Sequence, residues 1–579
     1  MMKKESLKNQ IRSSTKKELS DLVIKNVNVI DVFQSDIFTC DVAIRDGYII
    51  GLGEYSGKEE IDGTSKYIVP GLIDGHAHIE SSLITPNEYY KEALKHGITS
   101  IVTDPHEIAN VLGVEGIKVM MDLSFGLPLD FYFMISSCVP STDFEDSGAR
   151  IEAEDLKDLY QNKYVLGLAE VMNGPAVFNC DDKMLNKVLE TKNRNLIIDG
   201  HCAGFNEEMI NSYRVCNIKT DHECHTTKEV IDRLRRGMYV LMREGTVAKN
   251  LKELLASVNI YNTRRLCFCT DDKHIDDLIK NGSIDKSIKM AIDYGVKKET
   301  AIQMATLNTA ECYGLNNKGA IAPGYVADFI ILDNLESFLI NSVYKNGKLV
   351  VKDNELIYKE NKLKKTISIK NSINFKEITL DNLKIDLKNK QYINVIGLIK
   401  NRLESNHLKI KVEDLENKEE FISSTKDDLL KVAVIERHKG SGEVGLGIIN
   451  GLKIKEGAIA TSVAHDSHNI IVTGTNDNDM ILAVNELKRI GGGIVVTKNN
   501  KVLNSVQLEF GGIITLRDTN YLLEDLDNIH KSVLEIAPEI DFNPFLTLSF
   551  LALPVIPELK ITDRGLFDVN NFKFINASY

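Results

Sequence analysis

The sequence predicts an α/β chain: a TIM-like (β/α)8 barrel, a small β-sandwich built from segments flanking that barrel, and a separate C-terminal α/β domain. Three observations lead there. Eight apolar, strand-like runs fall between residues 72 and 270 and alternate with amphipathic helical stretches, the pattern of parallel βαβ units, in the number a closed barrel requires. Short β-like runs stand on both sides of this region, at 22–30 and 41–52 before it and at 326–332 and 342–351 after it. Beyond a polar, charged stretch at 352–374, a second α/β pattern begins. The resulting division is an N-terminal extension at 1–20, the first part of the sandwich at 21–69, the barrel at 70–318, the second part of the sandwich at 319–362, a linker at 363–381 and the C-terminal domain at 382–579.

In chain order, the barrel strands are expected at 72–76, 99–103, 130–136, 165–171, 196–199, 218–221, 238–242 and 266–270. Helices fit between them at 86–96, 151–160, 181–191 and 227–236, and a closing helical pair at 284–294 and 298–313 follows. In the last domain, strands are expected at 429–436, 457–462, 469–473 and 494–497, with a helix at 477–490 ended by the turn Gly491-Gly492-Gly493. No internal repeat is apparent.

With 579 residues, 43% hydrophobic and 26% charged, the chain has ample material for a large core. Its formal net charge of −13 argues against a surface built to neutralise phosphates, so no nucleic-acid partner is expected. No run approaches the roughly 20 apolar residues of a membrane span, and Met1 to Lys17 lacks the apolar centre of a signal peptide, which makes the cytoplasm the default location. The nine cysteines are odd in number and partly set in apolar strand runs, which suggests free thiols. No Cys-x-x-Cys pair supports a structural zinc ribbon.

Barrel active sites lie where strands end, and these strand ends are rich in metal-ligating residues. The first ends in His76 and His78, which two-residue spacing points to one side of a strand. The second runs into Asp104, His106 and Glu107; the fourth reaches Glu170; the fifth ends at His201, the sixth at His222, the eighth at Asp271 and Asp272. Each histidine taken alone is more simply a hydrogen-bonded loop or core residue. Six such strand ends together require a coincidence, so a metal site is the better reading. Imidazoles and carboxylates suit zinc, manganese, iron or cobalt, and the ligand number points to two divalent ions bridged by Glu170. Such a pair makes water a nucleophile near neutral pH, and Asp271 is placed to take and pass on its proton.

The segments from Pro70 to His78 (Pro-Gly-Leu-Ile-Asp-Gly-His-Ala-His) and from Ala305 to Ala310, followed by Gly319 to Asp328, resemble the amidohydrolase superfamily. His78-Ile-Glu-Ser-Ser82, Thr103 to Glu107, Ala169 to Asn173, Asp221-His-Glu223 and the distant Ala464 to Asn469 narrow this to the bacterial adenine deaminase family. That resemblance implies that His76 and His78 bind one metal and His201 and His222 the other, with Glu170 where many relatives carry a carboxylated lysine. Lys163 falls too early to be that lysine. It further implies two divalent metals, manganese or iron with zinc as the alternative, and attack on C6 of adenine with loss of ammonia. Asp104, His106 and Glu107 are candidates for protonating and binding the ring, or for orienting the metal ligands. His225 and Asp272 are candidate secondary residues, and His465 and His468 either approach the pocket or form a turn. Gly440 to Gly445 spells Gly-x-Gly-x-x-Gly, but a strand-like run follows it, which favours a turn over a dinucleotide site. Two other functions stay open. Arg243 would suit a cyclic-amide hydrolase that binds a substrate carboxylate, and a catalytically silent scaffold would keep the barrel alone. A homo-oligomer, dimer or larger, is expected.

Overall fold

The computed structural model describes residues 4–358, 372–400 and 402–579. Residues 363–371 of the linker expected at 363–381, the sandwich end at 359–362 and residues 1–3 lie outside the described residues. The β-layer begins with Ser20–Asp31. It pairs antiparallel with Asp36–Arg45, and a bulge falls between Ile24 and Val27. Asn26 takes φ 51° there, and the extra residue keeps Leu22, Ile24, Val27 and Val29 in the same apolar cluster. The run read at 41–52 is a hairpin, Asp36–Arg45 and Tyr48–Gly53, because Asp46 and Gly47 both take positive φ. Asn346-Gly347 likewise splits 342–351 into Leu339–Lys345 and Lys348–Lys352. Tyr67–Pro70, entering the barrel, pairs with Phe329–Asn334, leaving it. The two flanking segments thus form one nine-stranded sheet, folded over a core of Ile24, Val29, Ile44, Phe329 and Tyr344. The N-terminal extension, for which no element was expected, contains the helix Lys4–Ser14, tied to the layer by the Tyr55 hydroxyl on the Ser14 carbonyl at 3.0 Å.

The barrel strands are Leu72–His78, Ile98–Thr103, Asp130–Ile135, Val165–Val171, Ile197–Gly200, Thr220–Asp221, Tyr239–Arg243 and Leu266–Cys269, all close to their expected places. Parallel ladders join the first five in order and the last three in order. Other bonds close the two seams. Lys219 N donates to the Ile198 carbonyl at 2.8 Å between strands five and six. Asp74 accepts from the backbone and hydroxyl of Thr270 at 3.1 and 2.5 Å between strands one and eight. The expected helix 298–313 is two helices, Lys298–Met304 and Leu307–Tyr313, because the Ala305 carbonyl turns away to accept from Ile73 N at 2.9 Å. A helix not expected, His106–Ser124, starts inside the Asp104 to Glu107 motif and kinks at Gly113, where φ is 63°.

The C-terminal domain is an eight-stranded sheet carrying Leu429–Ile435, Val444–Asn450, Ala458–Thr461, Ile470–Gly474 and Gly493–Lys498, covered by the helix Asp477–Ile490. The glycine-rich turn runs directly into Val444–Asn450, and the Glu436 carboxylate accepts from Lys439 N and Ser441 N at 2.6 and 2.8 Å. No helix follows it, so it is a turn and not a phosphate cradle. Sequence reasoning assigned nothing to the helix Thr519–Ile536 or to the closing strands Leu559–Thr562, Gly565–Asp568 and Lys573–Ile575.

This domain lies across the mouth of the barrel. Thr515 N donates to the Leu83 carbonyl at 2.9 Å, Thr519 N to Glu88 at 3.2 Å, and Asn469 to the Asp146 carbonyl at 2.7 Å, all on loops or helix starts beyond strand ends. Leu83 and Ile84 share one buried cluster with Ile513 and Ile514, each such side chain contributing roughly 1.5–3 kcal/mol. No helix among the described residues is long and apolar enough to cross a membrane, and all nine cysteines are free.

Candidate metal centre

Strand geometry brings the expected ligands together at the C-terminal mouth. His76 and His78 leave strand one with their Nε2 atoms 3.1 Å apart. His78 Nδ1 lies 3.0 Å from the Asp104 carbonyl, which can only accept, so Nδ1 carries a proton and Nε2 is the nitrogen that faces the centre. Glu170, ending strand four, divides its two oxygens. Oε1 lies 3.6 Å from His76 Nε2 and 3.3 Å from His78 Nε2, whereas Oε2 lies 2.8 Å from His201 Nδ1 and 3.1 Å from His222 Nε2. Asp271 Oδ1 faces His76 and His78 at 3.5 and 3.0 Å. Its Oδ2 accepts from Arg243 at 2.7 Å.

The neighbours of these groups fix their orientation. Asp221 accepts from Cys202 N and Glu223 N at 3.1 and 3.0 Å and pairs with buried Arg233 at 2.9 Å, a frame that holds His222 between strand and loop. Arg243 also donates to both oxygens of Glu223. Glu223, within the Asp221-His-Glu223 motif, was not singled out as a site residue; its carboxylate lies 3.5 Å from His222 Nε2. Burial would raise it, but Arg243, His201 and His222 bring it down to about 2. Glu80 is another buried carboxyl that sequence reasoning passed over, pushed up to about 7 by burial and by Glu107.

The donor set fits divalent cations. Ligating atoms of His76, His222 and Asp271 lie within 4.8 Å of one another, as do those of Glu170, His201 and His222. Burial and the neighbouring His222 push His76 down to about 4, so at neutral pH it presents a lone pair. Burial would raise Glu170 and Asp271, yet His222 and His201 around the first and Arg243 beside the second hold both well below the usual carboxylate range. His201 Nε2 is buried without a hydrogen-bond partner. Imidazole nitrogens 3.1 Å apart, with ionised carboxylates between them, are an arrangement that an added cation reconciles.

The remaining expected residues divide. Asp104 accepts from Ser136 at 2.9 Å, and its other oxygen lies 2.8 Å from His106 Nδ1, which is itself 3.5 Å from Glu170. Asp272 accepts from the Ser81 hydroxyl and lines the pocket. His225 stays at the edge: its Nδ1 meets Asn250 at 2.9 Å, and its Nε2 comes no nearer than 3.9 Å to Glu223. Lys163 lies over the Tyr164 ring, away from the centre.

The C-terminal domain roofs this pocket. His465 Nδ1 lies 2.5 Å from Glu107 Oε1, and His468 Nε2 meets Glu107 Oε2. Ala464 N donates to His468 Nδ1 at 3.2 Å, so Nε2 holds the proton and donates to Glu107. In that tautomer His468 clamps the Glu107 carboxylate. The segment is a turn, with His468 at φ 55°, and buried Arg437 braces it by donating to the carbonyls of His468 and Gly511. Phe550 stacks on His465 with ring centroids 4.3 Å apart, and Leu403, Leu553 and Ile556 complete an apolar wall. These wall residues carry no sequence signal, since Phe550, Leu553 and Ile556 fall in an apolar run that reads as core.

A parallel barrel whose strand ends gather four histidines and two carboxylates defines an amidohydrolase. The amidohydrolase family model matches residues 67–350, the adenine deaminase C-terminal domain model matches 405–573, and a urease alpha-subunit N-terminal domain model matches 4–73. Curated relatives called adenine deaminase include those of Geobacillus kaustophilus, 47% identical over 98% of this chain and 99% of that one; Bacillus pumilus, 46% identical over 99% of each; and Bacillus subtilis strain 168, 45% identical over 99% of this chain and 100% of that one. The chain belongs to the adenine deaminase family.

Proposed function

We propose that this protein hydrolyses adenine to hypoxanthine and ammonia, in purine salvage, with two divalent metal ions as cofactors. The observation that carries the reading is the division of Glu170, one oxygen toward the His76 and His78 pair and the other toward the His201 and His222 pair, under a roof supplied by the family's own C-terminal domain. His76, His78 and Asp271 would hold one cation, His201 and His222 the other, and Glu170 would bridge them; manganese or iron fits this set, with zinc as the alternative. When bound, such cations supply Lewis acidity that readies water for attack near neutral pH.

The chain's own groups supply the rest. Arg243 keeps Asp271 ionised and fixes its Oδ2, so that Oδ1, the oxygen facing His76 and His78 that would hold the cation, is also the one placed to take a proton from the attacking water and hand it to the departing amine. The C6–O bond forms and the C6–N bond breaks; of the two protons of the water, one leaves with ammonia and the other ends on ring N1 of hypoxanthine. Asp104 and Glu107 hold His106 from both ring nitrogens, at 2.8 and 3.3 Å, beside the space where the purine's pyrimidine ring would lie. The apolar wall excludes bulk water. Arg243, committed to Glu223 and Asp271 and within 3.4 Å of Asn250, has no free edge for a substrate carboxylate, which counts against a cyclic-amide hydrolase. The net charge of −13 agrees with a cytoplasmic enzyme that binds neither nucleic acid nor membrane, and we place it in a dimer or larger homo-oligomer, measurable by light scattering.

Metal-loaded protein incubated with adenine, adenosine, cytosine and dihydroorotate, with ammonia release and ring opening assayed, tests the reading. Ammonia from adenine is expected. Turnover of the cyclic amide with no ammonia from adenine overturns it.

A further inference from the structure

The roof offers more than apolar cover. Asp466 belongs to the turn that clamps Glu107, and it is buried at 2% exposure. Its Oδ1 stands 3.7 Å from His106 Nε2, and its Oδ2 has no hydrogen-bond partner among the described residues. Both Asp466 and His465 line the catalytic pocket. A buried acceptor oxygen without a donor costs about 1–3 kcal/mol, more when charged, so its retention calls for a donor that arrives from outside the protein. No neighbouring donor among the described residues is bonded to it, and His465 Nε2 and Ser467 Oγ in the same turn are likewise without partners there. His465 Nδ1 and His468 Nε2 are taken by Glu107, and Arg437 is taken by backbone carbonyls.

From this geometry we infer that Asp466 is a substrate-contacting, specificity-determining residue: Oδ2 accepts the N–H of the purine's five-membered ring, so that the pocket is completed by the C-terminal domain. The inference rests on the adenine reading above. With the reacting C6 at the metal centre, the five-membered ring is the part of a purine left to face the roof. His465, held by Glu107 and stacked on Phe550, then forms the flat neighbour against which that ring lies.

The test compares adenine with an aminothienopyrimidine isostere in which sulfur replaces the ring N–H. It uses metal-loaded wild type, Asp466→Asn and Asp466→Ala, with steady-state kinetics, equilibrium binding, bound-metal content and thermal midpoint recorded for each. Wild type is expected to favour adenine over the isostere by about 10- to 100-fold, the range for a hydrogen bond to a charged group. Both variants should keep their metal and lose that preference, chiefly in KM. Equal losses on the two ligands, or a preference unchanged in Asp466→Asn, overturn the inference, as does a wild type that does not discriminate. Absence of ammonia from adenine in wild type instead sinks the deaminase reading, and the binding comparison still decides the role of Asp466.

Discussion

Two buried charged clusters stand at opposite ends of this barrel, and they are built on opposite terms. At the bottom, Lys318 and Lys345 each reach Asp328, at 2.5 and 2.6 Å, and Asp130, at 2.6 and 2.7 Å, while Asn346 N covers the remaining oxygen of Asp328 at 2.8 Å. Two cations face two anions and every charge has its partner. At the mouth, imidazole nitrogens face one another at 3.1 Å, and His201 Nε2 and Asp466 Oδ2 lack partners. A cluster that satisfies itself joins the β-layer to the barrel. One that does not is shaped for something it must receive.

Substitutions can break or sharpen this contrast. Glu170→Gln removes the anion between the two histidine pairs and should cost about 10³-fold or more in kcat/KM together with bound metal; full metal content with full activity would refute the bridge. At the other end, Asp328→Ala leaves two buried lysines to share Asp130 and should lower unfolding stability by up to about 3–5 kcal/mol in denaturant titrations, while folded protein keeps its kcat/KM. Arg243→Met leaves the ligands in place but frees Asp271 and Glu223. A drop of about 10- to 100-fold in metal affinity or turnover is expected, and an unchanged metal titration would remove Arg243 from the orienting role.

The smallest effect is the pH response of the lower cluster. Burial alone would raise Asp328, but Lys318 and Lys345 overcome it and hold the carboxyl well below the usual range. A depressed folded pKa means that the unfolded chain binds more protons in acid. The stabilisation is therefore complete above about pH 4, the unfolded value, and fades as pH falls toward the folded one. Metal-free protein should lose stability more steeply between about pH 4 and 3 than metal-free Asp328→Asn does. Identical slopes would assign acid sensitivity to other groups.

Much of the upper cluster was legible because a strand end has one geometry. His76 and His78 needed only the two-residue repeat, and His201, His222 and Asp271 followed from where apolar runs stop. The lower cluster gave no such signal: Lys318, Lys345 and Asp328 meet through a folded sheet whose register lay beyond local pattern. The roof was half legible. His465 and His468 stood out by residue type, yet their target, Glu107, lies 361 positions from His468, and which nitrogen carries the proton depends on Ala464 N. Leu403, Phe550, Leu553 and Ile556 were invisible because an apolar side chain looks alike whether it faces a core or a ligand. The helix His106–Ser124 escaped because its opening residues read as chemistry before they read as a helix start.

The β-layer's seam bears on how the molecule is made. Phe329 pairs with Pro70, so the strand that enters the barrel waits beside the ribosome for a partner synthesised some 260 residues later. Until then Tyr67–Pro70 offers an open edge to any passing strand, and at ordinary elongation rates that exposure lasts on the order of ten seconds or more. The nascent chain is therefore open to misassembly at this edge until the barrel has been made.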